Sequence, residues 1–201
     1  MKLVLATRNS GKIREISGML EGQNGVELLS LRNYPDAPDV VEDGKTYEEN
    51  AIKKASTLAN YTGHLTIADD SGLEVDALDG APGVHSARYA GENASDQDRI
   101  AKLLGALQDV PDDQRSARFI CVVAIAEPLS ESEIVRGVCE GHISHMPRGE
   151  TGFGYDPVFV PMGYDKTFAE LGGNIKNQIS HRAKALGMAR KILSEINFKQ
   201  F

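Results

Sequence analysis

LTIADDSGLEVDAL, residues 65–78, places two hydrophobic runs around a polar centre. Leu65, Thr66, Ile67 and Ala68 have the β-prone, mostly apolar character of a short buried strand, which runs into Asp69 and Asp70. Ser71-Gly72 predicts a turn, after which Leu73 to Ala77 resumes the alternation of a half-buried strand. Adjacent carboxylates at the end of a buried strand are costly to desolvate unless a cation lies beside them. Mg2+ meets that need, because it takes oxygen ligands and keeps waters for a phosphate substrate. Ordinary turn chemistry, with Asp69 or Asp70 accepting backbone N–H groups, is the competing reading of these residues alone.

Outward from this stretch the chain alternates strands and helices. Lys2 to Thr7 predicts a buried strand, Gly11 to Leu20 a helix and Val26 to Leu31 a second strand. Residues 32–45, with Pro35, Pro38 and Gly44 among acidic residues, predict a loop. Thr46 to Glu49 has the T-x-x-E spacing of a capping box. Tyr47, Ala51, Ala55, Leu58 and Ala59 then form one apolar stripe, on a helix ending near Thr62-Gly63. Gly80 to Gly91 is too rich in small residues for a regular element, and Ser95 to Leu107 predicts another capped helix. Ala117 to Ala126 and Glu133 to Ile143 predict a hairpin, followed by a Gly-rich loop over 144–156 and a short strand at Pro157 to Val160. Ser180 predicts the cap of a last helix, striped by Ala185, Ala189, Ile192, Leu193 and Ile196. Hairpin and crossover order together predict an α/β fold with a mixed sheet. No linker or repeat divides residues 1–201, which are expected to form a single domain, if need be as two lobes sharing one sheet.

The composition is that of an ordinary soluble protein, 41% hydrophobic and 25% charged. A net charge of -7 argues against nonspecific nucleic-acid binding, which needs a basic face. No apolar run is long enough to span a bilayer, and MKLVLATRNSGK lacks the features of a signal peptide. Cys121 and Cys139 lack metal-ligand spacing and fit two buried, reduced thiols in a cytoplasmic protein.

Four stretches carry candidate chemistry. Thr7-Arg8-Asn9-Ser10-Gly11-Lys12 joins the first strand to the first helix, where backbone N–H groups, hydroxyls and a lysine suit a phosphate. It is not a Walker A loop, which needs Gly in place of Ala6 and Ser or Thr in place of Ile13. Glu48 and Glu49 suit the helix dipole, whereas Glu42 has no such structural task and is the better partner for Asp70 on a metal. In GETGFGYDP, residues 149–157, Phe153 between glycines can stack on a nucleobase and Asp156 can read a base edge; a tight turn with Phe153 in the core competes. Lys176 and Ser180-His181-Arg182 supply donors at a helix start. His142 and His145 sit in strand-to-loop text and are not expected to bind metal.

Taken together, TRNSGK, ADDSGLEVDAL, GAPGVHSARYAG, GFGYDPVF and SHR, in that order over residues 7–182, closely resemble the inosine triphosphate pyrophosphatase family. Thr7, Asn9 and Lys12 match that family's T-x-N-x-x-K phosphate loop, with Arg8 where a small residue is common. The resemblance implies two lobes around a long mixed β-sheet with flanking helices, an active-site cleft between the lobes, and a homodimer. It implies hydrolysis of ITP, dITP and XTP to the monophosphate and pyrophosphate with Mg2+. Asp70 is then base and metal ligand, Glu42 a metal ligand and Ser71 a substrate contact. Phe153, Gly154, Tyr155, Asp156, Lys176, His181 and Arg182 form the base-recognition set. A pyrophosphatase for other modified nucleotides and a nucleotide-binding regulator without turnover are the alternatives.

Overall fold

The computed structural model describes residues 1–20 and 25–199. The chain opens with β1 (Lys2–Leu5), α1 (Ser10–Leu20) and β2 (Glu27–Ser30). It continues through α2 (Tyr47–Thr62), β3 (Leu65–Val75), α3 (Asp96–Ala106), β4 (Ser116–Ala126) and β5 (Glu133–Ile143). β6 (Phe159–Pro161), α4 (Phe168–Ile179) and α5 (His181–Lys199) complete it. The strands form one six-stranded sheet in the order β2-β1-β3-β4-β5-β6. β1 pairs in parallel with β2 and with β3, and β5 pairs antiparallel with β6, so the sheet is mixed and the α/β reading holds.

The chain folds as two compact units. One comprises Met1–Asp70, Cys121–Gly137 and Arg182–Phe201; the other comprises Ser71–Ile120 and Val138–His181. The core of the first packs Leu3, Leu5, Ile67, Val123, Ala185 and Leu193, among others, so the stripe expected on the last helix is its buried face. The core of the second is built on Leu73, Val75, Leu103, Phe119, Phe159 and Phe168. Its three phenylalanine rings lie 4.6 to 6.2 Å apart, within the range of favourable aromatic pairing.

The central stretch departs from its expected form. Leu65 to Val75 is one uninterrupted strand, with no turn at Ser71-Gly72, and Asp76–Leu78 leaves it as a 3-10 turn. The reason is burial and pairing. β3 lies inside the sheet between β1 and β4, and all its residues but Ser71 and Glu74 are buried. Ladder bonds on both edges outweigh the local turn preference of a Ser-Gly pair.

α2 begins as its sequence foretells, with Thr46 Oγ1 accepting from the Glu49 N–H at 3.1 Å. The reciprocal half of the capping box is redirected, because Glu49 Oε2 accepts from the N–H of Lys45 at 2.6 Å. All five residues of the expected stripe are buried, and Gly63 closes the helix with φ 68°, the left-handed conformation that glycine adopts without strain. α4 was not anticipated. Thr167 and Glu170 form its complete capping box, and Gly172 interrupts it at φ 76°.

Candidate functional site

The first unit gathers charges at the centre of β3. Successive side chains of a strand point to opposite faces, so Asp69 and Asp70 find different surroundings although they are neighbours in sequence. Asp69, 2% exposed, receives Lys12 Nζ at 3.0 Å and Arg182 Nη2 at 3.1 Å on the same oxygen, Oδ2. Burial pushes its pKa up, but Lys12, Arg182 and Lys54 together outweigh burial and hold it well below the usual carboxylate range. Asp70, 4% exposed, accepts from Asn50 Nδ2 at 2.9 Å. Its pKa is raised, first by burial and further by the charge of Glu42, against the pull of Lys54, Lys12 and the Asn50 bond. One aspartate is locked as an anion. The other is held as a stronger base.

Residues that the sequence reading missed complete this cluster. Lys54, buried on α2, donates to Glu42 Oε1 at 2.9 Å and to the carbonyl oxygen of Asp69 at 2.6 Å. Burial works against its charge, yet Asp69, Glu42 and Asp70 raise its pKa. Asn50 lies one helical turn before Lys54, and Glu15 of α1 takes a bond from Arg182 Nη1. In sequence the α2 pair is marked only by two polar residues at i,i+4 spacing beside the apolar stripe, which reads as ordinary helix surface. Ser71, next along β3, is half-buried.

The expected phosphate loop is pre-shaped by its own side chains. Thr7 Oγ1 accepts from the Asn9 N–H, and Asn9 Oδ1 accepts from the Lys12 N–H, which caps α1 from Ser10-Gly11 onward. Arg8 donates to Asp39 and to the carbonyl of Ala37, each at 3.2 Å. A pocket of about 200 Å³ beside the loop is lined by Thr7, Arg8, Ile13, Ser30, Leu31 and Arg32, so its hydroxyls and cations share the lining with two apolar side chains.

The second unit brings the GFGYDP loop and Lys176 together. Asp156 Oδ2, fully enclosed, accepts from Lys176 Nζ at 2.5 Å and from the Phe153 N–H at 2.9 Å. Lys176 Nζ also lies 4.5 Å from the centroid of the Phe153 ring. Phe153 is half-buried and stands outside the hydrophobic core, so the core reading of this ring does not hold. Gly152 is required here: its φ is 85°, and a Cβ would meet Asp156 Oδ2 at 2.1 Å. Gly154 donates its N–H to Asp96, and Tyr155 is buried with its hydroxyl donating to the Ser86 carbonyl. His181 is buried and stacks on Phe119 at 4.6 Å. Arg182, expected to donate to a base, has its guanidinium on Asp69 and Glu15. His145 pairs with Asp112 at the rim of a groove of about 590 Å³ that holds His142 and none of the expected site residues.

Among the described residues no group of three or more His, Cys, Asp and Glu side chains is disposed to hold a metal. Mg2+ asks for less than that, since it takes one or two carboxylates and completes its shell with phosphate oxygens and water. Glu42 and Asp70 fit that request. Both offer oxygen donors, and Glu42 lies near enough to raise the pKa of Asp70, a repulsion that a dication would reverse.

The chain matches the Ham1 family over residues 3–192. It is 52% identical over 200 residues to the dITP/XTP pyrophosphatase of Desulforamulus reducens, covering 100% of this chain and 99% of that relative. It is 54% identical to the dITP/XTP pyrophosphatase of Geobacillus kaustophilus over 92% of this chain and 90% of the relative. A HAM1 protein from Coxiella burnetii superposes with a TM-score of 0.89 at 44% identity, over 97% of this chain and 99% of the other. The Ham1 protein of Staphylococcus aureus does so with a TM-score of 0.86 at 41% identity, with the same coverages. Likeness of this degree spans both compact units and every stretch that carries the charge cluster and the GFGYDP loop, and by it the chain belongs to the Ham1 family.

Proposed function

We propose that this protein hydrolyses non-standard purine nucleoside triphosphates, ITP, dITP and XTP, to the monophosphate and pyrophosphate, clearing them from the nucleotide pool. The observation that carries this reading is the near full-length identity of about half with proteins named dITP/XTP pyrophosphatase. The geometry of the charge cluster supports this reading. Asp70, with its raised pKa, accepts the proton of a water that attacks the α-phosphorus. The N-terminus of α1, with Thr7, Arg8, Asn9, Ser10, Gly11 and Lys12, holds the phosphates and the departing pyrophosphate. Asp69 keeps Lys12 in place as a cation. Glu42 and Asp70 would hold Mg2+, which when bound would supply charge neutralisation and a more acidic water.

Base recognition falls to the second unit. Phe153 offers a stacking face, Gly154 and Tyr155 backbone close by, and Ser71 a contact at the strand. Lys176 and His181 offer donors that suit the 6-oxo group of hypoxanthine or xanthine and oppose the 6-amino group of adenine. Arg182 takes part by fixing Asp69. The protein acts as a homodimer in the cytoplasm, and its two buried cysteines, Cys121 and Cys139, outside any disulfide, suit a reducing compartment. No helix among the described residues is long and apolar enough to cross a membrane.

A panel of ITP, dITP, XTP, GTP and ATP with Mg2+, with products separated, tests the proposal. IMP and pyrophosphate in equal amounts are expected from ITP, with ATP turned over far more slowly. IDP and free phosphate as first products would overturn it, as would nucleotide binding without turnover.

A further inference from the structure

We infer that Asn50 is a positioning residue that fixes the spacing of the two carboxylates, Glu42 and Asp70. The inference rests on the metal-ligand role proposed for that pair. Residues 42–45 are tied to α2 at every position. Glu42 pairs with Lys54 at 2.9 Å and Asp43 with Lys53 at 2.6 Å. The Gly44 N–H donates to Asn50 Oδ1 at 2.8 Å, and the Lys45 N–H donates to Glu49 Oε2 at 2.6 Å. The tie made by Asn50 continues through its side chain to the other carboxylate, because Nδ2 donates to Asp70 Oδ2 at 2.9 Å. The amide is 1% exposed, and both of its ends are used.

An amide is the chemistry this place requires. Asp could accept from Gly44 but would set a third carboxylate against Asp70. Leu would leave a backbone N–H and a carboxylate oxygen without their partner in a buried place. Gly44 supports the same conclusion from the other side. A Cβ there would meet Asn50 Oδ1 at 2.7 Å and Glu49 Cβ at 2.8 Å, so the loop sits against the amide as closely as a backbone can. The φ of Gly44 is not in the left-handed region, so a methyl group at this position acts by displacing the amide and not by straining the turn. Outer partners that orient metal ligands typically change metal affinity or activity by about 10- to 100-fold when removed.

The test compares wild type, Asn50→Ala, Asn50→Asp and Gly44→Ala by three measurements. Mn2+ binding to the protein without nucleotide is followed by electron paramagnetic resonance, ITP turnover is followed against Mg2+ concentration, and thermal melting controls for folding. Asn50→Ala and Gly44→Ala are expected to weaken Mn2+ binding about 10-fold and to lower kcat by a similar factor. KM for ITP at saturating Mg2+ should change less than about 3-fold, since Asn50 touches no proposed phosphate or base contact. Asn50→Asp, which sets a third carboxylate against Asp70, should melt below wild type and fail to restore kcat. If Asn50→Ala unfolds, Gly44→Ala decides, because it leaves the amide in the chain. Wild-type Mn2+ affinity in a folded variant of either residue overturns the inference, and so does a wild type that binds no Mn2+. Absence of ITP turnover in a wild type that binds Mn2+ condemns the substrate reading alone.

Discussion

Arg182 Nη2 lies 3.1 Å from Asp69 Oδ2, and the two side chains expose only 2% and 1% of their surface. A second carboxylate, Glu15, holds the other end of the guanidinium. The pair bridges the end of one helix and the middle of a strand more than a hundred residues away in sequence. Breaking such a pair from one side leaves an uncompensated buried charge. Arg182→Leu is therefore expected to cost about 3–5 kcal/mol of stability. Urea unfolding checks this: the midpoint should fall with little change in slope. A loss under about 1 kcal/mol would mean that Lys12 alone suffices for Asp69.

The same aspartate shapes the response to acid. Burial raises its pKa, but Lys12, Arg182 and Lys54 depress it well below the ordinary value. A depressed carboxylate contributes stability that is fully present above its unfolded pKa, about 3.9, and that drains away as pH falls below that point. Asp69→Asn should melt lower than wild type at pH 7, and its melting temperature should decline less steeply between about pH 5 and pH 2. Parallel curves for the two proteins would contradict the linkage.

Asp70 behaves in the opposite sense. Burial first, and Glu42 second, disfavour its charged form. Replacing the charge by an amide should leave the melting temperature unchanged or raise it, while kcat falls at least about 100-fold. Kinetics beside thermal melts decide the matter. Retained turnover at saturating Mg2+ would remove Asp70 from the chemistry.

How much of this was legible in the sequence depends on what each feature answers to. Helix starts answer to local chemistry, and Thr46, Ser95 and Asn9 all cap as their types dictate. The turn expected at Ser71-Gly72 failed because sheet position, which is nonlocal, overrode it. α4 was hidden by Gly172 and Gly173, although the capping box of Thr167 and Glu170 was there to be read. The proposed site divides in the same way. Asp70, Glu42 and Lys176 stood out as charges in unusual text. Asn50, Lys54 and Glu15 looked like helix surface, and only the folded chain brings them onto Asp70, Glu42, Asp69 and Arg182.

Phe153 offers a clean separation of binding from folding. Because the ring is half-buried and outside the core, Phe153→Ala should shift the melting temperature little. Loss of a base-stacking face worth about 1–3 kcal/mol should raise KM for ITP by roughly 5- to 150-fold. A large drop in stability with KM unchanged would show that the ring serves the fold and not the base.

Cys121 should be chemically silent. Burial, with Asp69 nearby, pushes its thiol up to about 12, so at pH 8 the nucleophilic thiolate is scarce and enclosed. Iodoacetamide at that pH should leave Cys121 unlabelled in the folded protein and label it fully in urea, as mass spectrometry would show. Rapid labelling of the native protein would indicate that the strand opens locally.

The unbroken run of β3 gives this chain a parity. Because side chains alternate along the strand, every residue from Leu65 to Val75 is assigned to a face by counting from its neighbours. Gaining or losing one residue ahead of Asp69 would turn each aspartate to the opposite face, and an inserted residue would set Asp69 where the base belongs. A change of two residues would restore the alternation while sliding the strand along β1, where Leu3, Val4 and Leu5 meet Leu65, Thr66 and Ile67. The stretch is thus protected against length variation by arithmetic as well as by packing, and insertions in a chain of this kind are expected at its loops.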